Sequence, residues 1–437
     1  MPELTDLAAR GRAMARSMGM AVGGLLVSGV RLARPSRSVR PPESAELGRG
    51  VALRGLVWVG GAAAAYDGVV LVDPDGRIAA LGPVGAIGVP AGVRVLGGPD
   101  CWVGPGVIDA HVHLSFGTAA EALRGGVVGL RDLGAPRRDA LRWRTGYRRP
   151  PPGQPFVGAA GPILTAPGGY PSRSWGADGF AAFVANPAGA RQAVRQLAGD
   201  GVDLVKIALE PGAEQRWPVP PPAVVRAVVD TAHDAGLRVT AHALTAEMVS
   251  RAVDAGVDEL AHTPVQRLPE ALVDRVAAAG IWVVSTLQTF FTGGEGRVAA
   301  ANAAALHRAG VPLVYGTDLG NAGTRPGVDP RELDRLADAG LGRLGALRAA
   351  TERSARAVGV RGRTGTLIRG QAAALVLLSG DPLIEPGVWR APRAVLCDGR
   401  LLAAGIDGRL DGRLPGHPDD HPAGRPADRP RTADGPA

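Results

Sequence analysis

A chain of 437 residues, 46% hydrophobic and 21% charged, can hold one large α/β domain plus a small satellite and bury a sizeable core. A formal charge of +8 invites a nucleic-acid reading, but the 48 Arg are scattered and aromatic residues make up only 4%, so no basic stripe interleaved with aromatics exists and that class is set aside. Cys101 and Cys397 are too few for a disulfide framework or a cysteine-rich metal site, and no run of eighteen apolar residues is present to span a membrane.

Residues 1–50 read as an N-terminal extension. It holds eight Arg against four acids, and Arg10, Arg12 and Arg16 precede the apolar stretch Met18–Val30, the order found in a secretory signal. Glu3 and Asp6 dilute that charge and four Gly interrupt the apolar stretch. A disordered or amphipathic extension on a cytoplasmic protein is therefore the expectation, with a signal segment or a start-site artefact as the alternatives. Ala33–Pro42 reads as a linker.

Residues 51–105 follow as short antiparallel strands: Leu53–Val59, Gly68–Val72, the turn Asp73-Pro74-Asp75-Gly76, and Arg77–Leu81. The same texture returns in residues 359–403, at Ala374–Leu378 and Ala394–Leu402 with the turn Asp398-Gly399. Between them, over residues 106–358, short apolar strands alternate with Ala-rich helical segments. Eight strands are expected: Gly106–His113, Val127–Leu133, Val157–Thr165, Leu204–Glu210, Arg238–Leu244, Glu259–Thr263, Trp282–Leu287 and Leu313–Asp318. Helices are expected at Pro221–Ala235, Ala246–Ala255, Pro269–Ala279 and Val298–Ala309. Eight such units make a (β/α)₈ TIM barrel, whose chemistry sits at the C-terminal ends of the strands. Residues 404–437 are low-complexity and expected to be disordered.

The residues that carry chemistry fall where that rule puts them. His111 and His113 close the first strand, and their spacing puts both imidazoles on one strand face. His242 closes the fifth strand, His262 the sixth and Asp318 the eighth. His233 and His307 lie on helices and read as surface residues; His417 and His421 lie in the tail. Lys206, the single Lys of the chain, sits inside the apolar run Leu204–Leu209 on the fourth strand. Four imidazoles, a carboxylate and an amine at one barrel mouth make a site for one or two divalent ions, zinc being the expected one. As an ammonium Lys206 would repel them. Carbamylated by carbon dioxide it becomes an anionic oxygen ligand able to bridge two ions, a chemistry closed to Arg.

Gly106-Val107-Ile108-Asp109-Ala110-His111-Val112-His113, with the Lys, His, His and Asp that follow in order, resembles the metal-dependent amidohydrolase superfamily. Val127–Gly134, Gly201–Ile207 and Gly316-Thr317-Asp318 are most similar to its imidazolonepropionase- and prolidase-like branch. The resemblance spans Val51 to Leu402 and implies that the two flanking β pieces join into a small β-sandwich. It also implies that His111, His113 and Asp318 hold one metal ion, His242 and His262 the second, with carbamylated Lys206 between them. The reaction it implies is hydrolysis of a C–N bond (amide, peptide or cyclic amide) by metal-activated hydroxide, with Asp318 as proton shuttle.

Three positions depart from the branch pattern: Gly168-Gly169-Tyr170 stands for Gly-Gly-His, Thr263-Pro264 follows His262 in place of Gly, and Ala373-Ala374-Leu375 lacks an acid. The first two bear on the substrate pocket, where Tyr170 and Arg173 are candidates for binding a substrate carboxylate or developing oxyanion. The loop after strand seven adds Gln288, Phe290 and Phe291. The partner expected is a small-molecule substrate, without nucleic acid or membrane, and assembly into a homo-oligomer is left open. The rival readings are a mononuclear deaminase, a phosphotriester or lactone hydrolase on the same site, and a non-enzymatic scaffold.

Overall fold

The computed structural model describes residues 44–144, 154–212 and 217–403. Residues 1–43 and 404–437, and with them the signal-like stretch, the Ala33–Pro42 linker and His417 and His421, lie outside that description. In chain order the first strands are β1 (Ser44–Glu46), β2 (Val51–Val57), β3 (Tyr66–Val72), β4 (Ile78–Pro83) and β5 (Arg94–Pro105). The expected turn between β3 and β4 forms, with Gly76 at φ +78° and the Arg77 N–H donating to Asp73 Oδ1 at 2.8 Å.

The central part supplies β6 (Val107–Val112), β7 (Val127–Asp132), β8 (Phe156–Ala159), β9 (Ile163–Thr165), β10 (Ala181–Phe183), β11 (Leu204–Ala208) and β12 (Arg238–His242). After them come β13 (Glu259–Leu260), β14 (Trp282–Val284) and β15 (Leu313–Val314). The last strands are β16 (Leu375–Leu378), β17 (Ala394–Cys397) and β18 (Arg400–Ala403).

The two flanking pieces do join, but as one eight-stranded sheet in the order β1-β18-β17-β16-β5-β2-β3-β4 rather than as two separately hydrogen-bonded sheets. All its pairings are antiparallel except β2 with β5. Alternation sends Leu53, Val70, Val103, Leu375 and Leu396 into an apolar cluster of the sheet's own, while Trp102, Val376 and Cys397 face the central part. The two cysteines are therefore on opposite faces, and both are free. The first strand lies inside the segment read as an extension; β1 is held by its ladder to β18.

The central strands are all parallel, in two sheets ordered β6-β7-β8 and β10-β9-β11-β12-β13-β14-β15. The expected third strand, 157–165, is broken into β8 and β9, with Gly161 at φ +74° between them. Backbone bonds tie β6 to the chain beyond β15: Ala110 N–H to Tyr315 O at 3.1 Å and Asp318 N–H to His111 O at 2.8 Å. Most of these strands are shorter than expected, the sixth and eighth most of all. β13 and β15 have two residues each, so His262 and Asp318 stand on the turns beyond the strands.

Helices Pro222–Asp234, Ala246–Ala255, Glu270–Ala278 and Gly296–Arg308 form, to within two residues at each end, where the Ala-rich segments were expected to be helical. In the second, Thr245 Oγ1 accepts the Met248 N–H, and Gly256 ends it in the left-handed region. The inward faces of these helices, such as Val228, Val249, Val276 and Leu306, bury against the parallel strands in one apolar cluster. Leu287–Gly293, expected as loop, is a helix, because Glu332 accepts the N–H groups of Leu287 (3.0 Å) and Gln288 (2.6 Å) at its start.

Candidate metal centre

Two buried carboxylates set the His-x-His strand in place. Asp109 accepts the N–H of His111 at 3.1 Å, the N–H of Thr317 at 3.0 Å and the Thr317 hydroxyl at 2.5 Å. It thus fixes the start of the site to the segment carrying Asp318. Asp132 accepts the N–H groups of Leu114 (2.7 Å) and Gly134 (3.0 Å), which pins the turn after His113 to the end of β7. Burial raises both carboxyls to about 7, against the pull of those donors.

The six ligand-type residues named from the sequence are brought together. His113, Lys206, His242, His262 and Asp318 line one cavity with Ile163, Ala208, Tyr170 and Trp175, and His111 packs behind them at a 4.5 Å ring separation from His262. Asp318 Oδ1 lies 3.3 Å from His111 Nε2 and 3.4 Å from His113 Nε2, and its Oδ2 lies 3.9 Å from His262 Nδ1. Asp318 and Thr286, which touches His262, both adopt positive φ (+55° and +43°), a strain that folded chains keep mostly where function needs it.

Each imidazole has one nitrogen already committed. His111 Nδ1 lies 2.8 Å from Ala261 O, His113 Nδ1 3.1 Å from Gly134 O, His262 Nδ1 3.0 Å from Thr286 Oγ1, and His242 Nε2 3.2 Å from Glu210 Oε2. A carbonyl or carboxylate oxygen can only accept, so in three of the four the committed nitrogen carries the proton and the other keeps its lone pair. This is the arrangement a metal-binding His adopts.

The donor set also fits a cation by what it lacks. His111 Nε2 and both carboxylate oxygens of Asp318 are buried without a hydrogen-bond partner. Buried polar atoms without partners are costly. A cation among them removes that cost, and His111, His262 and Asp318 offer ligand atoms within 4.8 Å of one another. Burial lowers all four imidazoles below their ordinary range, His113 to about 3, so they are neutral and free to coordinate. Burial likewise pushes the Lys206 amine down and the Asp318 carboxyl up.

Aromatic residues close the cavity. Tyr170 lies tilted against His242 at 4.9 Å and stacks on Trp217 at 5.1 Å, while Trp175 meets His113 edge-on at 5.0 Å and donates its indole N–H to the Tyr170 hydroxyl at 3.0 Å. Of the two candidate substrate-binding residues, the structure brings Tyr170 to the site and leaves Arg173 exposed, its guanidinium lying against Gly168. Phe290 reaches His262 at 5.7 Å, whereas Phe291 is covered by Arg335. Glu210, Thr286, Asp109 and Asp132 were not singled out from the sequence. The one available signal was for Glu210, four residues after Lys206 and on the same face of the strand expected at Leu204–Glu210.

Residues 102–410 match the profile of the Amidohydrolase family. An uncharacterized protein of Mycobacterium tuberculosis (strain ATCC 25618 / H37Rv) is 30% identical over 342 aligned residues, covering 68% of this chain and 85% of that protein. Among solved structures, a prolidase complexed with N-methylphosphonate-L-proline superposes with a TM-score of 0.68 at 25% identity, covering 82% of this chain and all of the other. A Xaa-Pro dipeptidase with bound methionine in its active site gives a TM-score of 0.70 at 21% identity over 81% of this chain and all of the other. Both support a TIM-barrel-like α/β fold. The chain belongs to the amidohydrolase superfamily, in its prolidase-like branch, and is an enzyme that hydrolyses carbon–nitrogen bonds.

Proposed function

We propose that the parallel strands close into a (β/α)₈ barrel whose mouth holds two divalent ions, zinc by preference, and cleaves the amide bond of a small molecule such as a dipeptide. His111, His113 and Asp318 would hold one ion, His242 and His262 the other. Lys206, as a carbamate, would add an anionic oxygen ligand: its neutral amine adds to carbon dioxide, an N–C bond forms as one C=O π pair moves onto oxygen, and the proton lost from nitrogen passes to solvent. Burial favours that neutral amine. The single observation that carries this reading is the unpaired, buried set of His111 Nε2 and the two Asp318 oxygens.

Ions bound there supply Lewis acidity, easing the ionisation of a water and polarising the scissile carbonyl. The residues do the rest. Asp318, whose charged form burial disfavours, takes the proton of the attacking water and delivers it to the leaving nitrogen. Tyr170, with its hydroxyl oxygen already accepting from Trp175, keeps its own O–H to donate to a substrate carboxylate or developing oxyanion. Trp175 and Tyr170 shut the site from bulk water. A carboxylate-bearing substrate matches the proline analogue held by the solved prolidase.

The test is metal content per chain by elemental mass spectrometry, on protein purified with bicarbonate and without chelator, followed by a screen of dipeptides and simple amides. About two equivalents of zinc, manganese or iron with amide hydrolysis is the expected result. One equivalent overturns the bridged pair.

A further inference from the structure

The four imidazoles of the site are not equivalent in what stands behind them. Three are backed by neutral oxygens: the carbonyls of Ala261 and Gly134 and the hydroxyl of Thr286. Only His242 is backed by a carboxylate, and it presents the opposite ring nitrogen, since Nε2 is the one committed to Glu210 at 3.2 Å. Glu210 is itself held. It is 4% exposed, two residues beyond the end of β11 that carries Lys206, and its other oxygen accepts the Gly212 N–H at 2.6 Å. A carboxylate buried at that depth keeps its charge at a cost unless a donor meets it. His242 Nε2–H and Gly212 N–H are the two donors, so the carboxylate is locked by both of its oxygens.

We infer that Glu210 is a positioning residue: by accepting the Nε2 proton of His242 it fixes the ring to bind its ion through Nδ1 and makes the His242–His262 ion the one whose affinity this chain tunes through a buried carboxyl group. The inference rests on the two-ion reading given above. An N–H donated to a carboxylate is a charge-assisted bond, stronger than one donated to a carbonyl, and it makes the opposite nitrogen a better electron donor. Glu210 acts through His242 and not on the substrate. The cavity bears this out, because His242 lines it and Glu210 does not.

The experiment is zinc titration of the metal-stripped full chain against a chromophoric chelator, on the wild type, Glu210→Gln and Glu210→Leu. Gln keeps an acceptor for His242 without the charge; Leu removes both. The expected result is an unchanged affinity for one zinc, and a second zinc bound about 10-fold more weakly in the Gln variant and about 100-fold more weakly in the Leu variant. Cobalt substitution adds a readout that a packing role would not move: the visible absorption of the weaker-bound ion shifts in Glu210→Gln at unchanged melting temperature. Equal affinities for both ions across the wild type and Glu210→Gln, with a raised KM, overturn the inference and make Glu210 a substrate contact. Equal loss of both ions overturns it in favour of a general structural role. If the wild type binds one zinc only, the two-ion reading fails by itself. Glu210 is still judged by that ion, because weakening in Glu210→Gln supports its link to His242 and no change overturns it.

Discussion

The guanidinium of Arg131 meets the carboxylate of Glu259 at 2.6 Å inside the parallel strands, and Glu259 stands in register with Lys206 across β12. Thr240 adds its hydroxyl to the same Glu259 oxygen at 2.8 Å, and Arg131 also donates to Ala110 O. A charge left alone at this depth is expensive. Glu259→Gln should cost about 3–5 kcal/mol of stability, while the double change Arg131→Met with Glu259→Leu recovers most of it. Denaturant midpoints decide; a single variant as stable as the wild type would refute the account.

Lys206→Arg keeps a cation but cannot take up carbon dioxide. The expected result is fewer than two metal equivalents per chain and loss of hydrolysis, whereas Lys206→Ala regains part of its activity with a small carboxylate such as propionate. Wild-type metal content and turnover in Lys206→Arg would exclude the carbamate.

Asp318→Asn preserves shape and one oxygen while removing the proton acceptor. Its kcat should fall about 10²- to 10⁴-fold, with substrate affinity little changed. A fall confined to KM would show that Asp318 moves no proton.

Tyr170→Phe removes one hydroxyl from the cavity wall and should lower kcat/KM about 10-fold or more. Arg173→Ala, on the exposed side of the same loop, should leave both constants within about twofold. The reverse pattern would return Arg173 to the substrate.

Burial raises Glu332 from 4.5 to about 7, overriding the Ser285, Gln288 and Leu287 donors that favour its charge. Between those two values the folded chain holds a proton that the unfolded chain releases. The group's contribution to stability is therefore full below about 4.5, falls as pH rises to about 7 and is level beyond, a change of roughly 3 kcal/mol. Glu332→Gln should flatten that part of the urea-midpoint profile between pH 5 and pH 7.5. An unchanged slope in the variant would assign the pH dependence to other groups.

What was legible beforehand follows from chemistry that repeats with the strands. His111, His113, Lys206, His242, His262 and Asp318 stand out because rare side chains recur at the ends of apolar runs. The buried acids were hidden for the opposite reason. Besides local bonds two residues on, Asp109 and Asp132 reach the N–H groups of Thr317 and Leu114, and Glu332 those of Leu287 and Gln288, all far away in sequence, and no spacing announces such a bond. Tyr170 and Arg173 share a loop whose fold, not its composition, decides which side faces the site. The extent of β13 and β15 was overestimated because strand length depends on what the neighbours pair with, and there the turn takes over after two residues.

The sheet that unites β5 with β16 also sets an order in time. Strand β5 runs straight into the His-x-His strand, and Gly106 at their junction donates its N–H to Ala374 O at 3.0 Å. During synthesis that junction must wait, one edge bare, until the whole parallel part has been made and β16 emerges. A chain that stopped after residue 358 would carry every proposed ligand yet leave the strand that leads to His111 and His113 without its footing, so residues 359–403, remote from the chemistry, complete the support on which the site is built.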